Sequence, residues 1–215
     1  MKARLAGALL VLATWLVAVC LAAGAREALL EAAAQPPMRA IALLAGIASG
    51  VVLLLLAQRV APASTRFWTT TDHELTHAIA AVLTGSKPRD LHVGHHGHGL
   101  FVHSHTRWVW AIALAPYVLP TSTIALALVS LAVPGPVPPT LLGIIGLTLG
   151  YHLATDVAEA RPRQPDIREH GGWVALCGIA GVWSCTLLLA IGSVTLGAIP
   201  LLRAAVGWLR HVASA

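Results

Sequence analysis

The feature that most constrains this chain is a series of apolar runs of membrane length, separated by short polar segments. Ile41 to Ala57 is the clearest run, because it contains no charged residue and Arg59 follows it closely. A helix needs about 20 apolar residues to cross a bilayer. Hydrophobic residues make up 57% of the 215-residue chain and charged residues 11%, less than half their usual share in soluble domains. The sequence therefore predicts an all-α integral membrane protein in which residues 1–215 form one domain.

The apolar runs predict about six membrane segments and hence a multi-pass protein in contact with the lipid bilayer. Their approximate bounds are 5–23, 41–57, 67–84, 108–131, 141–155 and 173–196. Because Lys2 and Arg4 precede the first run, a signal peptide ending at residues 23–25 is the alternative interpretation of that run. Basic residues are shared too evenly between alternate connections to predict the orientation.

Charge and cysteine usage exclude two other classes of protein. The net charge of +5 sits mainly between the apolar runs, where Lys and Arg set topology and contact lipid headgroups. We therefore expect no nucleic-acid partner. The three cysteines lie within apolar runs without Cys-x-x-Cys spacing, so they are expected to be small buried side chains and not a disulfide framework; they are Cys20, Cys177 and Cys185.

A polar motif, His73-Glu74-Leu75-Thr76-His77, interrupts the third segment, for which we predict a helix over 67–85. Residues four apart share a helix face, so His73 and His77 can direct imidazole nitrogens at one metal ion. Zinc lowers the pKa of its bound water from about 15.7 to roughly 7, and a neighbouring carboxylate can accept the proton as that water attacks a carbonyl. The motif therefore predicts a Zn²⁺ site with two histidine ligands and Glu74 as the catalytic base.

The setting of the motif adds to its specificity. An aspartate such as Asp72 at the centre of a membrane helix costs about 2.5–3.5 kcal/mol on insertion scales, so polar residues there usually have a functional role. The alternative is an interfacial helix whose polar half faces water.

A catalytic zinc usually has three protein ligands and one open position, so a third ligand must come from outside the motif. Residues 150–172, at the end of the fifth segment and beyond it, contain the candidates. His152 and Asp156 lie four apart on one helix face, while Asp166 follows Pro165 and could cap the last helix. Spacing alone ranks Asp156 ahead of Asp166, with His152 third or as a partner of a ligand.

Between the motif helix and the fourth segment, residues 86–107 are rich in glycine and histidine. Short apolar stretches there predict a small β-hairpin or a re-entrant loop. Histidine-rich tracts can bind metal, although the glycines favour a loop without fixed geometry. The histidines concerned are His92, His95, His96, His98, His103 and His105.

The motif helix, its apolar continuation to Leu83 and its glycine end resemble the site-2 protease family of intramembrane zinc metalloproteases, particularly its compact bacterial members. A glycine-rich, strand-like segment follows the helix in both, and in the family it is thought to guide substrate as an added strand. The resemblance covers roughly residues 67–189. It implies a protease of the bacterial cell membrane that cleaves membrane-embedded protein substrates, with His73 and His77 as ligands, Glu74 as base and a distant aspartate as third ligand.

The chain also departs from that family. Better-known members carry Asn-x-x-Pro ahead of an Asp-Gly pair, whereas this chain contains neither asparagine nor Asp-Gly. Gln164-Pro165-Asp166, ahead of two glycines, resembles a divergent form of that motif and brings Asp166 level with Asp156. Residues 115–120 are loosely similar to a Gly-Tyr-x-Gly-Pro segment of the compact members.

Two other functions fit the same residues. A zinc transporter or metal-handling protein also places His and Glu in membrane segments, and the histidine-rich loop could collect ions for it. A membrane scaffold could keep the zinc fold without catalysis.

Overall fold

The computed structural model describes residues 38–94, 98–131 and 137–195, with side chains up to residue 186, together with residues 12 and 15. Seven helices, one 3-10 turn and one hairpin follow one another in these ranges. In chain order they are α1 (Met38–Val60), α2 (Pro62–Leu83), β1 (Pro88–Val93), β2 (Gly99–His103), α3 (Val109–Leu114), the 3-10 turn (Ala115–Tyr117), α4 (Thr121–Leu131), α5 (Pro139–Glu159), α6 (Pro165–Glu169) and α7 (Trp173–Thr195).

Helices α1 and α5 form the main helix pair, and glycines allow their backbones to approach closely. A Cβ on Gly50 of α1 would overlap the carbonyl oxygen of Leu147, and one on Gly150 of α5 would overlap that of Ile47. Small residues that permit close backbone contact are typical of helix pairs in membranes, where no hydrophobic force draws apolar helices together. The two helices therefore form a rigid frame beside α2.

Two helices, α1 and α5, are long and apolar enough to cross a membrane. A third candidate arises if α3 with its 3-10 turn and α4, bent by 82° at a short break, count as one span. The prediction of about six segments is therefore not supported within the described ranges. Helix α2 is too polar, since it carries Arg66, Asp72 and Glu74, and the described apolar part of α7, Trp173–Thr186, is short. Apart from residues 12 and 15, the first apolar run, with its signal-peptide alternative, lies outside the described residues.

The motif helix and the hairpin lie close to where the sequence places them. Helix α2 begins at Pro62, five residues earlier than expected, because proline is well suited to the first turn of a helix. It ends before Gly85, whose φ of +74° suits glycine. Strands β1 and β2 pair antiparallel, which confirms the hairpin and not the re-entrant loop. The buried Ser86 hydroxyl donates to the carbonyl of Ser104 at 2.8 Å and closes the base of the hairpin.

A buried cluster holds the second half of the chain together behind the motif helix. Its members come from the 3-10 turn, α5, α6 and α7, and are Tyr117, Leu149, Ile167, Ala175, Ile179 and Trp183. Ile167 anchors the five-residue helix α6 in this cluster. The packing therefore fixes the neighbouring residue, Asp166, relative to α5.

Candidate metal centre

Helix α2 places His73 and His77 one turn apart on the same face, as the spacing predicts. Their ring centroids lie 4.9 Å apart, and the side chains are 14% and 9% exposed. The two imidazoles are thus mostly shielded from solvent.

Asp166 of α6 completes a group of three potential ligands. Its Oδ2 lies 3.8 Å from His73 Nε2 and 3.7 Å from His77 Nε2, and all three ligand atoms lie within 4.8 Å of one another. Ligand atoms at about 2.0–2.2 Å from a tetrahedral zinc are roughly 3.3–3.6 Å apart. The two Asp166 distances exceed this range by only a few tenths of an ångström, and a contraction of the group from within its 4.8 Å spread would let the three atoms share one ion.

The other nitrogen of each histidine has a partner of its own. His77 Nδ1 lies 2.7 Å from the carbonyl oxygen of Ile112, to which it can donate. His73 Nδ1 lies 3.2 Å from Glu159 Oε2. Protons held at Nδ1 leave both Nε2 atoms free for a metal, the arrangement that outer partners give metal-binding histidines.

Glu159 is a site residue that the sequence reasoning missed. It is the last residue of α5 and lies one helical turn beyond Asp156. Its spacing from the candidate ligand Asp156 is the one sequence feature that points to Glu159. Nothing in the sequence shows that Glu159 faces His73 of α2.

The electrostatics of the group favour a cation. Burial alone would lower the pKa of His73, but its ion pairs with Asp166 and Glu159 raise it above its ordinary value. Burial and the charge on His73 lower the pKa of His77. Burial would raise the pKa of Asp166, yet the two histidines hold it below its usual range. Carboxylates that stabilise a protonated imidazole here would also stabilise a divalent metal ion.

Glu74, the predicted catalytic base, is 8% exposed and adjoins the hairpin. A Cβ on Gly99, the first residue of β2, would overlap the Glu74 carboxylate. Burial raises the pKa of Glu74, which brings a carboxylate closer to the range useful for a general base. Nearby, the ring of Phe101 stacks on His77 with centroids 6.2 Å apart. The hairpin thus covers the motif on the side of the base.

The other two candidates for the third ligand lie outside the group. Asp156 Oδ2 accepts a hydrogen bond of 2.8 Å from Trp183 Nε1. His152 Nε2 lies 2.8 Å from the Ser122 hydroxyl, and its Nδ1 lies 3.7 Å from Asp72 Oδ2. Asp156 and His152 therefore form polar contacts between helices. Asp166 is the aspartate that faces the motif histidines.

The histidine-rich hairpin forms no second group of this kind in the part of the chain that the structure describes. His103 Nδ1 instead lies 2.7 Å from the carbonyl oxygen of Ser104. His95 and His96 lie outside the described residues.

The donor set fits zinc: two imidazole nitrogens and one carboxylate oxygen, the combination known from catalytic sites that keep a fourth position open. Comparisons of the chain with protein-family models, with curated proteins and with solved structures gave no significant match. The assignment of a function therefore depends on the geometry of this group.

Proposed function

We propose that this protein is a multi-pass membrane metallopeptidase that uses zinc to hydrolyse peptide bonds of membrane-embedded protein substrates. The observation that carries the proposal is the convergence of His73 Nε2, His77 Nε2 and Asp166 Oδ2, contributed by two helices far apart in the chain. The candidate spans α1 and α5 support a membrane location beside this group.

The three ligands would hold the ion and leave a position open for water or substrate. When bound, zinc polarises a carbonyl and lowers the pKa of water to near neutrality. Glu74 follows the first ligand directly, and in this proposal its carboxylate would accept the proton of the attacking water. Glu159 and the Ile112 carbonyl keep the histidines in the tautomer that offers Nε2.

In this proposal the hairpin is the docking element for the substrate. Each strand of the two-stranded sheet has one edge without a strand partner in the described ranges. An extended peptide can add to such an edge through main-chain hydrogen bonds. Because Gly99 contacts Glu74, a peptide paired beside β2 would pass close to the base.

The proposal is tested with the purified full-length chain and the Glu74→Gln variant. We expect about one equivalent of zinc in both proteins and cleavage of candidate membrane substrates by the wild type alone. The glutamine keeps the shape of the side chain but cannot accept the proton, so activity should fall by at least about 100-fold, the lower range for general acid–base catalysis.

Zinc content is measured by elemental analysis, and cleavage by mass spectrometry of the products. Glu169→Gln on α6 is a matched control, because this carboxylate is outside the group. Absence of zinc from the wild type would contradict the proposal. Zinc flux into proteoliposomes without any cleavage would indicate a transporter instead.

A further inference from the structure

Tyr117 carries a buried hydroxyl close to the metal group. The residue is fully buried in the 3-10 turn, and its hydroxyl makes no hydrogen bond of ordinary length among the described residues, although the Gln164 side chain lies close enough to interact with it. A buried hydroxyl without a partner destabilises a fold, and a phenylalanine would fill the same space without that cost. A tyrosine at this position therefore indicates a partner that the protein acquires in another state.

The residues around the phenol indicate that its hydrogen-bond partner belongs to the metal group. The ring of Tyr117 meets the ring of His73 edge to face, with centroids 5.3 Å apart. Ile167, next to Asp166 in α6, packs in the same buried cluster as Tyr117, so the part of α6 that carries Asp166 lies beside the tyrosine. Both ion pairs of Asp166 use Oδ2, so Oδ1 is available to an outer donor.

The position of the tyrosine is itself held by the core. Trp183 Nε1 donates to the backbone carbonyl of Tyr117 at 3.0 Å and to Asp156 Oδ2 at 2.8 Å. The buried Asp156 carboxylate thus fixes the indole, and the indole fixes the turn that carries Tyr117. Because the hydroxyl is sealed from solvent, a substrate cannot reach it in this geometry, which favours a role behind the ligands.

We propose that Tyr117 is a positioning residue for the third ligand: its hydroxyl donates a hydrogen bond to the Asp166 carboxylate when a metal ion draws Asp166 and the two histidines together. This inference rests on the proposed zinc site. The hydrogen bond would restrict the carboxylate to the orientation that offers Oδ2 to the ion, as outer partners of metal ligands do.

The test is Tyr117→Phe in the full chain, with Tyr151→Phe as the matched control. Tyr151 is the other tyrosine of the chain and lies on α5 in a groove beside α1 and α2, outside the ligand group. Zinc affinity is measured by competition with a chelator, and the stability of the metal-free protein by thermal unfolding. We expect Tyr117→Phe to weaken zinc binding about 10- to 100-fold, while the metal-free protein unfolds at the same or a higher temperature.

A double-mutant cycle identifies the partner. If the hydroxyl acts through the Asp166 carboxylate, Tyr117→Phe should cause little further loss of affinity in an Asp166→Ala background, which has no side-chain acceptor for the hydroxyl. Fully additive losses would overturn the inference, since they would place the hydrogen bond elsewhere, for example on Gln164, which also lies beside the phenol.

Two outcomes separate this inference from the proposed function. If the wild type binds zinc and Tyr117→Phe binds it equally well, the positioning role is wrong and the zinc site stands. If the wild type binds no zinc, both proposals fail.

Discussion

At the scale of single residues, the candidate centre depends on how each ligand is oriented by its neighbours. The Nδ1 atoms of His73 and His77 meet a carboxylate and a backbone carbonyl, so both Nε2 atoms turn toward Asp166. Asp156 is more deeply buried than Asp166, yet its carboxylate already accepts from the Trp183 indole. Burial of an acidic residue in this chain is therefore not by itself a sign of metal binding.

The contrast between the two aspartates leads to a prediction. Asp166→Asn should weaken zinc binding by more than the roughly 10- to 100-fold that outer partners usually contribute, because the amide removes the negative charge that faces both histidines. Asp156→Asn should bind zinc nearly as well as the wild type, because its amide oxygen can still accept from Trp183. Titration with a zinc-selective chelator measures both affinities. Equal losses in the two variants would contradict the assignment.

At the scale of elements, α1 and α5 form the most closely packed helix pair, and the candidate site lies beside the end of α5. Helix α5 ends at Glu159, which contacts His73, and the chain then turns into α6 with Asp166. The depth at which α5 packs on α1 thus sets where the acidic residues meet the motif helix.

Two glycines of α5 provide a matched test of this contact. A Cβ on Gly150 would overlap the Ile47 backbone, whereas one on Gly143 would meet only the Ala42 carbonyl oxygen at an ordinary 3.6 Å. Gly150→Ala should therefore destabilise the protein by roughly 1–3 kcal/mol, the usual cost of overpacking. Gly143→Ala should be neutral or slightly stabilising, since alanine favours helix. Thermal unfolding in detergent compares the two, and equal effects would argue against the close approach.

At the scale of the whole molecule, a metal ion would join parts of the fold that are distant in sequence. Helix α2 carries two of the candidate ligands and α6 the third, with the hairpin and three helices between them in the chain. An ion bound only by the folded state stabilises it by about 4.1 kcal/mol when its free concentration is 1,000 times the dissociation constant.

Metal removal should therefore lower the unfolding temperature of the full chain, and added zinc should restore it. Glu74→Gln should keep this zinc-dependent shift, because the base is not a ligand, whereas Asp166→Asn should lose most of it. Differential scanning calorimetry with chelator and with excess zinc measures the shift. If zinc does not change the unfolding temperature of the wild type, the ion does not link these elements.

What the sequence determined by itself is local in origin. Apolar runs without charges predict α1 and α5. A helix in lipid must be apolar along its length, and it makes all its backbone hydrogen bonds within itself. The spacing of His73 and His77 predicts their common face, because four residues make about one helical turn. The glycine-rich segment after α2 predicted a hairpin or a re-entrant loop, and the pairing of β1 with β2 in the structure decided between them.

The tertiary structure decided everything that depends on contacts across the chain. Spacing ranked Asp156 ahead of Asp166, but the way α6 packs on the core turns Asp166 toward the histidines and leaves Asp156 to Trp183. The partner of Glu159 lies on another helix. Such pairings are set by how the helices pack in three dimensions. The residue pattern of a single segment does not show which other segment it will contact.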